Sequence, residues 1–220
     1  MFRNRHEAGA KLAEKLQEFT NLRDLLVLAL PRGGVCVGHE IARRLHVPLD
    51  VFVTRKLGFP GQPELAIGAV SETGHVVLNQ RLADEVPKTL IEREVEAQKE
   101  EISRRVAQYR GGKRLHQIAG KMILLVDDGL ATGATAKAAV ESLRREGPQQ
   151  LIVAVPVAPE STALEFEELV DKFVCLRRDP LFHAVGAYYL NFDQVTDEEV
   201  AEQLKQASQE LEKSTGVGPR

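Results

Sequence analysis

Two kinds of hydrophobic pattern alternate along the chain. Short, continuous apolar runs fall at 25–30 (LLVLAL), 49–56 (LDVFVTRK), 121–126 (KMILLV), 150–158 (QLIVAVPVA) and 172–176 (KFVCL). Runs this short and uniformly apolar predict strands buried on both faces of a parallel sheet. Between them the spacing turns helical. Residues 6–19 put Leu12, Leu16 and Phe19 on one stripe, and Val37, Ile41 and Leu45 recur every fourth residue after the first run. Residues 88–109 predict a long charged helix with an inward stripe of Ile91, Val95, Ile102, Val106 and Tyr109. On its wet side Glu100/Arg104 and Glu101/Arg105 have the spacing of supportive i,i+4 pairs. Gly147-Pro148 is a stop signal for the helix after the third run. Thr196 and Glu199 form a capping box that opens a last helix over 197–212, with Val200, Leu204, Ala207 and Leu211 inward. The tail 214–220 reads as frayed.

One segment breaks the alternation. Residues 57–86 carry Gly58, Pro60, Gly61 and Pro63 before an apolar stretch, then the turn residues SETG and the short run HVVLN. This predicts a loop followed by a hairpin. The remainder predicts an α/β fold: a parallel sheet flanked by helices on both faces, in a single domain spanning 1–220 with its core at about 22–176. In such sheets ligands bind beyond the carboxyl ends of the strands. Three runs end in polar signals: Pro31-Arg32-Gly33-Gly34, Arg55-Lys56, and Asp127-Asp128 with the loop Gly129–Thr135. A parallel sheet would bring all three to one edge.

Composition narrows the partners. With 29 basic and 32 acidic residues the formal charge is −3, so bulk nucleic-acid binding gets no support. Two distant cysteines, Cys36 and Cys175, fit neither a disulfide scaffold nor a zinc site and suit a reducing, cytoplasmic setting. The charged N-terminus is unlike a signal peptide, and no apolar run approaches membrane-spanning length, so no membrane partner is expected.

The third polar end holds a puzzle. Small residues leading into a helix N-terminus offer unpaired N–H groups and a positive dipole end, and Thr132 and Thr135 add hydroxyls. That is a cradle for phosphate, yet two carboxylates stand beside it. No Gly-Lys-Ser/Thr follows, which excludes a Walker A loop, and no strand is followed by a dinucleotide fingerprint. Carboxylates accept hydrogen bonds from hydroxyls and bind Mg²⁺. A ligand with vicinal hydroxyls and a phosphate, such as a ribose 5-phosphate, would use both halves of the stretch.

The stretch LLVDDGLATGAT resembles the signature of type I phosphoribosyltransferases, with Gly129 standing where a bulkier apolar residue is usual. ALPRGG resembles that family's pyrophosphate loop, where a kinked, often cis, non-proline peptide would fall at Pro31–Arg32. TRK at 54–56 resembles the strand end that presents cations to phosphates, and 57–86 has the composition of the family's flexible catalytic loop. The resemblance covers about residues 25–158. It implies 5-phosphoribosyl 1-diphosphate with Mg²⁺ as substrate, and displacement of pyrophosphate by a nitrogenous base or related acceptor. It assigns Asp127 and Asp128 to the ribose hydroxyls, with the metal held indirectly through the substrate near that pair. Ala131, Thr132, Gly133, Ala134 and Thr135 would take the 5-phosphate. Pro31, Arg32, Gly33 and Gly34, with Arg55 and Lys56, would take the pyrophosphate. Arg55, Lys56 and Asp128 carry the catalytic assignment.

The resemblance leaves the acceptor unidentified. Ala131 stands where enzymes acting on hypoxanthine and guanine commonly carry an acid, which argues against those bases. The small C-terminal hood would be built from 177–195, with the N-terminal helix as an adjunct. There Phe182, Tyr188, Tyr189 and Phe192 have the chemistry to stack on a base, or to pack a small core, and His183 to contact one. Relatives are often dimers, and the helix 88–109 or the loop before it has the reach to cross to a second copy. Two rivals compete. A receiver domain matches ILLVDD but requires a phosphoacceptor Asp at a later strand end, and the next aspartate, Asp171, precedes an apolar run. A non-catalytic regulator that senses 5-phosphoribosyl 1-diphosphate shares the site, but no helix-turn-helix extension is visible.

Overall fold

The computed structural model describes residues 1–113 and 115–215. Five of its strands form a parallel sheet in the order β2-β1-β6-β7-β8: β1 Leu25–Ala29, β2 Leu49–Val51, β6 Met122–Val126, β7 Gln150–Pro159 and β8 Lys172–Asp179. The other three, β3 Thr54–Phe59, β4 Gln62–Ser71 and β5 Val76–Leu78, form a small antiparallel sheet. Seven helices accompany them: α1 Arg5–Glu14, α2 Gly33–Leu45, α3 Gln80–Ala83, α4 Lys88–Arg110, α5 Ala134–Arg145, α6 Glu160–Leu169 and α7 Asp197–Thr215.

The apolar runs are continuous because both faces of the parallel sheet are covered. Alternate residues go to opposite sides. Leu26, Leu28, Ile123, Leu125, Leu151 and Val153 pack under α5 and α6 with Val140, Leu143 and Phe166. Leu25, Val27, Leu124, Val126, Ile152 and Ala154 pack under α1 and α2 with Leu12, Leu16, Val37, Ile41 and Leu45. Each fully buried Leu or Ile contributes about 1.5–3 kcal/mol of transfer free energy. Those two layers therefore hold β1 and β6 in place against anything that binds at their ends. A third cluster joins Val51, Val53, Leu57, Ile67 and Val70 to Val95, Ile102 and Tyr109 of α4 and Val200 of α7. Within α4, Ile91 and Val106 are partly buried against that cluster.

The structure corrects several expectations. The run 49–56 is not one strand. It leaves the parallel sheet after Val51, because Glu72 from the end of β4 takes over the backbone: its carboxylate accepts from Val53 N at 2.8 Å and its N–H donates to Val53 O at 2.9 Å. Thr54 then pairs with Ser71 in the antiparallel sheet. Glu72 is itself held by Arg110, which also lies 3.1 Å from Asp50 Oδ1, so a buried Asp50–Arg110–Glu72 cluster pins the joint between the sheets. The front half of 57–86 is not loop: Leu57–Phe59 and Gln62–Ser71 pair as strands around a turn at Gly61, whose φ of +80° suits glycine. The first helix stops at Glu14, and Gln17–Phe19 form a separate 3-10 turn. Helix α6, not expected, covers β7 and β8. Arg104 pairs with Glu101 rather than Glu100, while the Glu101/Arg105 pair forms. The capping box is present in both directions, Thr196 N to Glu199 at 2.7 Å and Glu199 N to Thr196 Oγ1 at 3.1 Å. The last helix runs on to Thr215, and residues 216–220 of the expected frayed tail lie outside the described residues. Among the described residues no helix is long and apolar enough to cross a membrane.

Candidate active site

β6 lies between β1 and β7 in the sheet and delivers Asp127 and Asp128 at its carboxyl end. The chain then runs through Gly129–Gly133 into α5. Gly133 is the N-cap at φ +69°, and a Cβ there would stand 2.7 Å from the Phe166 ring, so glycine is required twice over. The loop is tied down from behind, since Thr162 Oγ1 donates to Ala131 O at 2.9 Å. Ala131, Thr132 and Ala134 are exposed at the mouth of the helix, with Thr135 half-buried behind them. A helix start of this kind, with backbone donors and no bulky side chain over them, has the physical character that suits an anion.

The end of β1 comes to the same place. The Pro31–Arg32 peptide is cis, at the position given by the resemblance. Gly33 and Gly34 open α2 directly against the acid pair. A Cβ on Gly33 would lie 1.9 Å from Asp128 Oδ2, and one on Gly34 would lie 2.9 Å from Val126 O and 3.1 Å from Asp127 Oδ1. The two glycines therefore set how closely the first turn of α2 approaches the carboxylates.

The acid pair is electrostatically tense. Burial pushes both carboxyls above the ordinary aspartate range, and for Asp127 the neighbouring charge of Asp128 adds to the rise. Asp127 Oδ1 accepts from the backbone N–H of Asp128 at 2.8 Å, which partly offsets this. Asp128 has an additional partner that sequence reasoning missed. Arg5, the first residue of α1, donates from Nε to Asp128 Oδ2 at 2.7 Å. Its hydrogen bond and charge pull the Asp128 carboxyl back down. The two residues are 123 positions apart, and Arg5 lies in no recognisable motif.

Arg32, Arg55 and Lys56 are arranged differently. Arg32 Nη1 lies 3.9 Å from Asp197 Oδ1 at the start of α7. Asp197 also accepts from Tyr109 Oη at 2.6 Å and from Arg104 at 3.4 Å. Arg55 and Lys56 do not end a strand of the parallel sheet. They sit near the start of β3, on opposite faces of that strand. Arg55 Nε donates to Gln98 Oε1 of α4 at 2.8 Å, and burial, then the nearby Arg105, lower its pKa. Lys56 is exposed.

The hood takes residues from both ends of the chain. Phe2 N donates to Tyr188 O and Leu190 N to Phe2 O, each at 2.8 Å. Phe182 and Tyr188 stack on each other at 5.3 Å, with Arg177 5.0 Å from the Tyr188 ring centre. Tyr189 stacks on Phe192 at 5.1 Å and meets Phe2 at 5.5 Å. Phe2, Tyr188 and Tyr189 form a small packed core with Val157 and Ala8, Phe182 lies partly buried against it, and Phe192 is exposed. Tyr189 Oη reaches from it to donate to Asp128 O at 2.5 Å, and burial raises its pKa. His183 is exposed.

Two aligned acids, a small-residue loop at a helix start and a glycine pair beside a cis peptide define a class, and comparison with known proteins names it. The phosphoribosyl transferase domain family model matches residues 3–192, and the chain belongs to that family. Its particular relatives include Putative phosphoribosyl transferase Rv0571c of Mycobacterium tuberculosis strain H37Rv, 40% identical over 222 residues, which cover 99% of this chain and 49% of that protein. The chain thus spans about half the length of the curated relatives it matches. The crystal structure of TT1426 from Thermus thermophilus superposes with a TM-score of 0.81 at 43% identity, covering 93% of this chain and 98% of that one. AQ2163 from Aquifex aeolicus, 12% identical over 91% of this chain and 84% of its own, shares the fold with a TM-score of 0.51. The fold is that of the type I phosphoribosyltransferases, with the five-stranded parallel sheet at its centre.

Proposed function

We propose that the protein binds 5-phosphoribosyl 1-diphosphate with Mg²⁺ and transfers its phosphoribosyl group to a nitrogenous acceptor, releasing pyrophosphate. One observation carries this reading: the first turn of α2 packs against the Asp127–Asp128 pair, and the loop that leaves the pair leads straight into the N-terminus of α5, so donors suited to two phosphate groups accompany acceptors for hydroxyls. The apparent conflict between acids and anion cradle then dissolves, because the two grip different parts of one molecule.

Each group has a task. Asp127 and Asp128 accept the ribose hydroxyls, and the backbone N–H groups of Ala131–Thr135 hold the 5-phosphate. The first turn of α2 and the Arg32 guanidinium hold the diphosphate, and Arg55 and Lys56 steady its growing charge. In the reaction the C1–O bond breaks, the diphosphate leaves with the electron pair, and the acceptor nitrogen forms the new bond to C1. The transition state is rich in positive charge at the sugar and negative charge at the leaving group, so stabilisation of both ends lowers the barrier. Among the described residues no group of three or more His, Cys, Asp or Glu could hold a metal ion. A Mg²⁺ that arrives on the diphosphate would neutralise it, with Asp127 and Asp128 as nearby carboxylates. Phe182, one face of which is covered by Tyr188, belongs to the same proposal as a stacking surface for the acceptor.

Calorimetry with Mg²⁺-5-phosphoribosyl 1-diphosphate tests the reading. Wild type binds, and Asp128→Asn, which keeps the fold, binds at least about tenfold more weakly, a loss of about 1.4 kcal/mol. No binding by wild type overturns the proposal. Pyrophosphate release across purines, pyrimidines and amines identifies the acceptor. Binding without turnover on any of them favours the sensor reading.

A further inference from the structure

We propose that Arg5 is a positioning residue for the reaction, acting through Asp128. The inference rests on the functional reading above. It goes further by assigning a role to a residue that lies outside every motif of the chain.

Three contacts fix the Arg5 guanidinium. Nε donates to Asp128 Oδ2 at 2.7 Å, Nη1 donates to Asp193 O at 2.8 Å, and the guanidinium carbon lies 3.8 Å from the Phe192 ring centre. The side chain is 11% exposed, so it is neither a loose surface cation nor a free ligand for phosphate. The planar fork suits this: one edge for a carboxylate, another for a carbonyl, and the face for a ring. A lysine ammonium offers the charge without that geometry.

The place of the contact gives it its role. The Cβ absent from Gly33 would have stood 1.9 Å from Asp128 Oδ2 and 2.8 Å from Arg5 Nε. Acid motif, diphosphate loop and Arg5 therefore converge on one carboxylate oxygen. The other end of Asp128 is fixed as well, since its carbonyl accepts from Tyr189 Oη. Arg5 and Tyr189 belong to one assembly: Tyr189 packs on Phe192, Phe192 underlies Arg5, and Phe2 pairs with the Tyr188–Leu190 backbone. The two ends of the matched region thus close on Asp128 as a clamp. Such a clamp sets which way the carboxylate faces before a ribose arrives, and pre-set geometry is worth more to a reaction than contact alone.

The test uses the full chain and three probes: Mg²⁺-5-phosphoribosyl 1-diphosphate, ribose 5-phosphate and inorganic pyrophosphate with Mg²⁺. Arg5→Gln weakens the first two by at least about tenfold and leaves pyrophosphate within about twofold, because only the ribose end depends on Asp128. Arg5→Lys falls between the two. The double variant Arg5→Gln/Asp128→Asn binds no more weakly than Asp128→Asn alone, because the two residues act as one unit. Phe192→Leu, which keeps both charges and removes the ring, gives a smaller loss of the same kind. The proposal is overturned if Arg5→Gln binds like wild type, if its loss multiplies with that of Asp128→Asn, or if pyrophosphate weakens equally. Failure of wild type to bind any probe overturns the site reading itself, and this inference with it.

Discussion

The acid half of the candidate site is closely packed and buried, whereas the cation half rests on looser side-chain pairs. Around Asp127 and Asp128 the partners are the Asp128 N–H, the buried Arg5 side chain and closely packed segments with no spare room. β6 lies between two parallel neighbours, Gly33 and Gly34 lack the space for a Cβ, and Tyr189 grips a carbonyl. Around Arg32 and Arg55 the partners are Asp197 and Gln98, side chains on α7 and α4. The Arg32–Asp197 pair is loose at 3.9 Å and a third exposed on the Arg32 side. The contrast teaches a division of labour. On the proposed reading, the half assigned to the sugar is built before the ligand arrives, whereas the half assigned to the leaving charge keeps its cations in exchangeable pairs.

The largest effect should come from breaking the rigid half. Gly33→Ala drives a methyl into Asp128 Oδ2 and Arg5 Nε. It should cost about 1–3 kcal/mol of stability by overpacking. It should also weaken Mg²⁺-5-phosphoribosyl 1-diphosphate at least about a hundredfold, or about 2.7 kcal/mol, read by denaturant melts and calorimetry. A binding loss below tenfold would place the ribose site elsewhere. In the exchangeable half a smaller change is expected. Arg55→Ala should lower Mg²⁺-pyrophosphate affinity about five- to tenfold, or about 1–1.4 kcal/mol, and flatten its dependence on salt. Titrations at two ionic strengths check this, and an unchanged salt slope would remove Arg55 from the diphosphate's reach.

The smallest effect lies at the outer edge of the same network. Glu101 takes hydrogen bonds from Arg104 and Arg105, which hold its carboxyl down at about 2. A depressed carboxyl contributes stability that is fully present above its ordinary pKa of 4.5 and is lost as pH falls from there toward about 2. Glu101→Gln should therefore lower the melting temperature by no more than about 3 °C at pH 7, since exposed pairs contribute little. The gap to wild type should narrow as pH falls below 4.5 and close only below about pH 2. A gap that stayed constant with pH would mean that packing rather than charge is at stake.

Periodicity made the sheet and most of its helices legible. Strands β1, β6 and β7 and helices α2, α4 and α7 follow from apolar runs and i,i+4 spacing, because each buries its pattern locally. The break after Val51 was hidden, since Phe52 and Val53 continue the apolar run and the force that turns the chain comes from Glu72, nineteen residues ahead of Val53. The β3–β4 hairpin was hidden by its own punctuation: Gly58, Pro60 and Gly61 look like loop residues, and here they form a bulged strand end and a tight turn. For the site, the motif stretches announced Asp127, Asp128 and Arg32–Gly34, since a strand end and its following turn are contiguous in sequence. Nothing local announced Arg5 or Tyr189. Their partnership with Asp128 exists only once α1 and the hood are packed together.

The capping box at Thr196–Glu199 has a practical corollary. A chain trimmed to the family-matched stretch 3–192 would look whole by alignment. It would lack Val195 and Val200, both buried against Val51, Val53 and Val95, and it would lose Asp197, the anchor of Arg32 and Tyr109. At the other end it would lose Phe2, whose ring and backbone hold the Tyr188–Leu190 segment. Loss of a buried aromatic such as Phe2 alone costs about 3–5 kcal/mol. Any workable fragment for crystallisation or display therefore has to keep residue 2 and the whole of the final helix, and affinity tags belong beyond those limits.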